Sequence, residues 1–363
     1  MPPAMFDLHA LKTTETLIRQ RAALCDSGSA DLGPDLVLLH EQGLAVAPFA
    51  EADGGQGWAH TCATSKPLFE ALRMLGRANL SVGRLFEGHV NAVKLILLYG
   101  SPAQIAAAAE RARAGDWFGV WGADGDPSVA FDGTTLTGTK RFASGLGLIS
   151  RAVVVVNCDG PAQLVIAQCD DQSLAHPECW QMSGMRATAS GEYRFDNTAG
   201  EALGAPGSYQ QEPWFEGGVW RYCAIHLGGA EAIRDEVATL LADGARSDRP
   251  QQRSRLAEIA VACETARLWI LEAAQRVECQ DSRKSGESSA AYALLAREMT
   301  ERACVSVMQH ADRAIGTAAH ELGSRLELLR RDLGLFLRQA DPDGKFDRAS
   351  EALACCQGKA DCL

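Results

Sequence analysis

Residues 134–144 read TTLTGTKRFAS. Apolar and polar residues alternate through Leu136, Gly138, Lys140 and Phe142, which is the pattern of a strand with one face covered. Outward from this stretch, Ala152–Cys158 and Leu164–Cys169 are short runs of strong β-formers. Gly191-Glu-Tyr-Arg-Phe195 alternates again, and turn pairs such as Asp132-Gly133 and Asp159-Gly160 separate the runs. Residues 117–195 therefore read as a small antiparallel β unit.

The texture is helical on both sides. Phe6 to Arg113 is rich in Ala and Leu, broken by Pro48–Trp58, PFAEADGGQGW, which is too glycine-rich for a helix interior. Tyr99-Gly-Ser-Pro102 ends one helix and starts another, with Ser101 as N-cap and Pro102 in the first turn. From Tyr222 to about Arg338 three long helices follow, with polar breaks at 243–252 and 279–288. The stretch after Asp341-Pro-Asp-Gly344 reads as one more short helix. Helix, sheet and helix bundle in sequence make an α+β chain, not the alternation of a dinucleotide-binding fold. The expected domains are 1–115 (helical), 116–205 (β) and 212–363 (helical bundle).

Composition narrows the function. The 363 residues carry 35 Lys and Arg against 46 Asp and Glu, a formal net charge of −11. Without a basic run, nucleic acid and anionic membrane are poor partners. No apolar stretch is long enough to span a membrane and the N-terminus has no signal-peptide pattern, so a cytoplasmic location is expected. The 12 cysteines include no CxxC pair, so no metal site is expected and the thiols read as reduced and mostly buried.

Five motifs then occur in order. They are Glu41-Gln-Gly-Leu44 with Pro48 and Gly54-Gly-Gln-Gly57; Leu136–Ser144; Ser183-Gly-Met-Arg186 with Phe195-Asp-Asn197; Arg255–Ile259 with Glu264–Leu268; and Arg331-Asp332. Together they resemble the acyl-CoA dehydrogenase superfamily of flavoproteins over nearly the whole chain. The resemblance implies FAD held between the β unit and the C-terminal bundle. It also implies a homodimer or homotetramer, and an electron-transfer partner. In it, Phe142 lies against the flavin, Ala143 belongs to the same segment and Ser144 sits at flavin N5. The strand of Phe118, Val120 and Trp121 meets the pyrimidine edge. Arg246 approaches the pyrophosphate across the dimer, and Gly316 opens a loop toward the neighbouring cofactor.

The sequence departs from that pattern where the chemistry lies. The family's usual catalytic glutamate position falls on Ala340, next to Asp341, and the alternative position on Trp220, a turn after Glu216. The loop Trp121–Pro127 is short where the family has a segment that helps hold CoA. Arg84 and Glu87, at i, i+3 on one helix face, supply another carboxylate near the acyl pocket, so Glu87, Asp341 and Arg84 are the catalytic candidates. His89 reads as structural and Trp58 as packing. The leading expectation is α,β-dehydrogenation of an acyl thioester, acyl-CoA included. The alternatives are a flavin-dependent monooxygenase or oxidase acting on a substrate without CoA, and a non-catalytic scaffold.

Overall fold

The computed structural model describes residues 8–157, 160–279, 286–339 and 341–355. Ala340, Cys356, Cys362 and Asp159 lie outside the described residues. The N-terminal segment forms α1 (Leu8–Asp26), α2 (Gly33–Glu41), α3 (Ser65–Ala78), α4 (Leu80–Tyr99) and α5 (Pro102–Arg113). Asn79 caps α4 by accepting the Ser81 N–H. Ser101 and Gln104 close a reciprocal capping box on α5, with Pro102 at its start. The glycine-rich interruption is a tight turn in which a Cβ on Gly55 would stand 2.1 Å from the Phe49 carbonyl. Trp58, at its end, is buried edge-on to Phe86.

The β unit holds β1 (Phe118–Trp121), β2 (Ala130–Phe131), β3 (Thr135–Ala143), β4 (Arg151–Val156), β5 (Gln163–Gln168), β6 (Ala175–His176) and β7 (Gly191–Leu203). Their order is β1-β4-β5-β7-β3-β2, with β6 beside β7. The expected antiparallel pairing holds throughout except for β1 and β4, which are parallel. The long β7 pairs with β3 through its first part and with β5 through its last four residues, so one strand joins two sheet segments.

The C-terminal segment forms α6 (Trp220–Asp243), α7 (Pro250–Glu278), α8 (Gly286–Ile315), α9 (Arg325–Phe336) and α10 (Pro342–Cys355). Helices α4 and α6 are buried on nearly all sides through most of their length, which is the signature of a helix inside a core rather than on it. Helix α6 crosses α3 at glycines: a Cβ on Gly228 would lie 2.1 Å from the Arg73 carbonyl, so only glycine allows that approach. One apolar core joins α1, α3, α4, the sheet and the C-terminal helices.

The motifs that carried the resemblance meet in space. Asp332 accepts the Met185 N–H at 2.7 Å. Arg331 donates to Asp26 at 2.8 Å and holds the Ser183 carbonyl, so α9 fastens the 183–186 turn to α1. Burial pushes the Asp332 carboxyl up to about 6. One expectation is overturned: Cys62 and Cys279 form a disulfide across 217 residues, with Cα atoms 4.4 Å apart, so the cysteines are not all reduced. Neither cysteine belongs to a local motif; the fold brings the start of α3 against the end of α7 and so makes the pair.

Candidate functional site

A cavity of about 850 Å³ opens between the sheet and the helices. Its walls come from α4, from β1, β3 and β4, from the 180–190 and 209–219 segments, and from α6, α9 and the start of α10. Six of the residues expected at the site line it: Arg84, Glu87, Val120, Phe142, Ser144 and Asp341. The other five do not. Phe118 is buried in a separate apolar cluster. Trp121 is buried against Tyr193 and donates its indole N–H to the Ser144 carbonyl at 3.2 Å. Ala143 is buried. Arg246 lies in the turn after α6, and Gly316 is exposed at the end of α8 with φ +79°.

Phe142 is a strained residue of the sheet. Its φ is +56°, a conformation that a bulky side chain adopts only when its surroundings impose it. A register shift between Arg141 and Ala143 in the β3–β7 pairing creates the kink and aims the ring at the cavity. The ring stands edge-on to Trp180 at 6.1 Å, and the Arg141 guanidinium lies 4.2 Å from its centroid. It is nonetheless 45% exposed, toward the cavity.

Ser144 ends a chain of hydroxyls. Thr188 Oγ1 donates to the Met185 carbonyl at 2.6 Å and meets Ser190 Oγ at 2.7 Å; Ser190 Oγ donates to Ser144 Oγ at 3.0 Å. The chain ends at the Ser144 hydroxyl, which lines the cavity. Thr188 and Ser190 carried no sequence signal beyond lying just past the Ser183–Arg186 motif.

Lys140 fixes the shortened loop. Its buried ammonium donates to the Gly122 carbonyl at 2.9 Å, to Asp124 Oδ1 at 2.6 Å and to the Val155 carbonyl at 2.5 Å. Burial pushes this lysine below its ordinary value, while Asp124 holds it up. Asn157 donates to the second Asp124 oxygen at 2.6 Å. The Trp121–Pro127 loop is thus clamped to β3 and β4.

On α4, Glu87 is buried and both its oxygens are engaged, one by Arg84 and one by the Asn91 amide. The chain continues inward. Arg221 Nη1 donates to Asn91 Oδ1 at 3.0 Å and Nη2 to Glu278 Oε1 at 2.6 Å. The same Glu278 oxygen accepts the Trp220 indole N–H at 3.1 Å, and Oε2 accepts Lys94 Nζ at 2.9 Å. Burial opposes ionisation of Glu278, but the Lys94 and Arg221 cations outweigh it and hold its carboxyl at about 2. Asp341 stands at the rim, where it accepts the Gly344 N–H at 3.2 Å as a cap for α10. Glu216 is held by Lys345 and Arg348 outside the cavity wall. His89 is a latch: its Nε2 meets the Ala45 carbonyl at 2.7 Å and its Nδ1 accepts the Phe118 N–H at 3.1 Å. Burial lowers it to about 4, so it is neutral.

No protein-family model and no curated protein matches the sequence. Solved structures match over nearly the full length. The dibenzothiophene monooxygenase TdsC from Paenibacillus sp. A11-2, in a complex with FMN and indole, superposes with a TM-score of 0.82 at 19% identity, covering 96% of this chain and 97% of that one. The chain has the acyl-CoA dehydrogenase-like fold. Methanesulfinate monooxygenase MsuC from Pseudomonas fluorescens gives 0.79 at 19% identity, covering 97% and 96%. A nitrososynthase from Micromonospora carbonacea var. africana gives 0.78 at 19%, covering 96% and 95%.

Proposed function

We propose that the protein is a flavin-dependent monooxygenase that acts on a substrate without CoA. The observation that carries this is the state of the cavity carboxylates. Removing an α-proton from a thioester needs a carboxylate oxygen free to reach it. Both oxygens of Glu87 are engaged, and Asp341 caps a helix at the rim with one oxygen and faces the Arg348 guanidinium at 3.5 Å with the other. The clamped Trp121–Pro127 loop gives CoA no replacement for the segment it lacks. Two of the structurally similar proteins are named as monooxygenases, and TdsC was crystallised with FMN. This favours oxygenation over acyl thioester dehydrogenation.

The cavity suits a flavin. It is large enough for a tricyclic ring, Phe142 offers a partly exposed ring, and Ser144 offers a hydroxyl. Val120 would border the ring, and Trp121 would hold Ser144 in place through its carbonyl. FMN is preferred to the FAD of the resemblance because TdsC was crystallised with FMN; Arg246 and Gly316, which the resemblance turns toward a neighbouring subunit's cofactor, lie away from this cavity and do not decide between the two. Within a homo-oligomer they would reach only a neighbouring subunit's site. When bound and reduced, the flavin supplies the electrons with which dioxygen is activated. The residues bind, orient and exclude water: Trp180, Met182, Phe215 and Phe336 make much of the wall apolar.

The test uses FMN reduced with dithionite, ¹⁸O₂ and a panel of aromatic heterocycles that includes indole. Label in an organic product supports the proposal. Anaerobic bleaching of the bound flavin by any acyl-CoA overturns it in favour of dehydrogenation.

A further inference from the structure

Lys94 and Arg221 line the cavity with side chains only 7% and 3% exposed, and both are paired with a single carboxylate, Glu278, which is 1% exposed. Two buried cations sharing one buried anion leave one positive charge uncompensated, and a buried charge without a counter-charge is costly. The other nearby carboxylates are committed. Glu87 pairs with Arg84, Glu216 with Lys345 and Arg348, and Asp341, at the rim, with Arg348. Glu212 accepts the Glu216 N–H and makes no ion pair with Lys94 or Arg221 among the described residues. The surplus cation therefore borders the cavity in a protein whose net charge is −11.

We infer that this buried end of the cavity is an anion subsite, and that the substrate is an organic anion whose charged group settles beside Lys94 and Arg221. The inference rests on the cavity being the substrate site of the proposed monooxygenase. The apolar body of such a ligand meets aromatic residues. Lys94 Nζ lies 5.8 Å from the Trp214 ring centre, and Phe215 and Tyr209, which pack on each other at 4.8 Å, line the same wall. The substrate class is thus an aromatic or bulky apolar carboxylate, sulfinate or phenolate. A flavin phosphate has the same anionic chemistry, and the experiment separates the two sources.

Binding is measured by calorimetry on protein saturated with FMN and, in parallel, with riboflavin. The probes are 2-naphthoate and naphthalene-2-sulfinate, each beside a neutral counterpart such as 2-naphthamide. At least one anion should bind about tenfold tighter than its neutral counterpart, or about 1.4 kcal/mol. Lys94→Met and Arg221→Met each leave one cation on Glu278, and each should cut that preference to about twofold or less. Lys94→Arg should restore it. Melting curves show which variants fold, and either folded variant suffices. Two results overturn the inference: no anion is preferred, or the preference survives both substitutions. It is also overturned if the substitutions weaken FMN but not riboflavin and leave the anion probes unchanged, for the charge then serves the phosphate. No reductant or dioxygen is used, so failure here leaves the oxygenation proposal standing, and failed ¹⁸O incorporation leaves the subsite standing.

Discussion

Replacing Glu278 with glutamine separates the charge network from its shape. The carboxyl sits at about 2 in the folded protein against an ordinary 4.5. That gap is worth about 3 kcal/mol at neutral pH, within the range for breaking a buried ion pair. Unfolding entropy of about 2.1 cal/mol/K per residue gives about 0.8 kcal/mol/K for this chain, so the melting temperature should fall by about 4 °C. The sign with pH is fixed. A depressed carboxyl stabilises fully above 4.5, and its contribution is lost as pH falls toward 2. A protonated Glu278 and a glutamine look alike to Lys94 and Arg221. The difference between the two proteins should therefore be full at pH 6–7, shrink below pH 4.5 and nearly vanish near pH 2. Denaturant or thermal unfolding at half-unit pH steps reads this directly. A difference that stays constant with pH, or one below about 1 kcal/mol at pH 7, would refute the claim that Glu278 is the ionised hub of the wall.

Three further outcomes follow from particular residues. Phe142→Gly removes both a strained backbone and an aromatic face, so melting temperature should hold or rise while FMN binding, followed by fluorescence quenching, weakens about tenfold. His89 is held neutral at about 4, below its ordinary 6.5, so its share of stability is full above pH 6.5 and falls as pH drops toward 4. His89→Gln should lower stability by about 1–3 kcal/mol at pH 7 and flatten that part of the acid limb. Thiol titration of the denatured protein should find two fewer reactive groups before reduction than after. Cys279→Ser should lower stability only under non-reducing conditions, by up to about 5 kcal/mol for a loop of this length.

How far the sequence carries depends on the range of the interaction. Ser101 and Pro102 announce a helix start because capping is local, and α5 begins there. The strand at 134–144 is legible because alternation is local. Its most consequential feature, the kink that turns Phe142, depends on the register with β7 and is not. The parallel β1–β4 pair is equally hidden, since both strands have the same texture whichever way they run. Lys94 and Glu278 are 184 residues apart and the disulfide cysteines 217 apart, and no periodicity connects them. Glu87, Arg84 and Asn91 lie at i, i−3 and i+4 on one helix, but Arg221, which joins Asn91 to Glu278, appears only once α4 and α6 are packed together. Phe118, Val120 and Trp121 could be placed on one strand, yet only Val120 reaches the cavity.

The same network bears on both the proposed reaction and the proposed subsite. A carboxylate acts as a base when an oxygen is free to take a proton. The chain spends Glu87 on Arg84 and Asn91, and Asn91 relays the contact to Arg221. Arg221 is in turn drawn to Glu278, which Lys94 already occupies. Each link satisfies a buried polar group, as a buried wall must, but the charges do not sum to zero. Three cations meet two carboxylates along this path. A site arranged to pull protons from carbon would concentrate negative charge beside the substrate. This one pairs Glu87 and Glu278 and leaves a cation over, which supports the proposed anionic substrate over deprotonation of a neutral one.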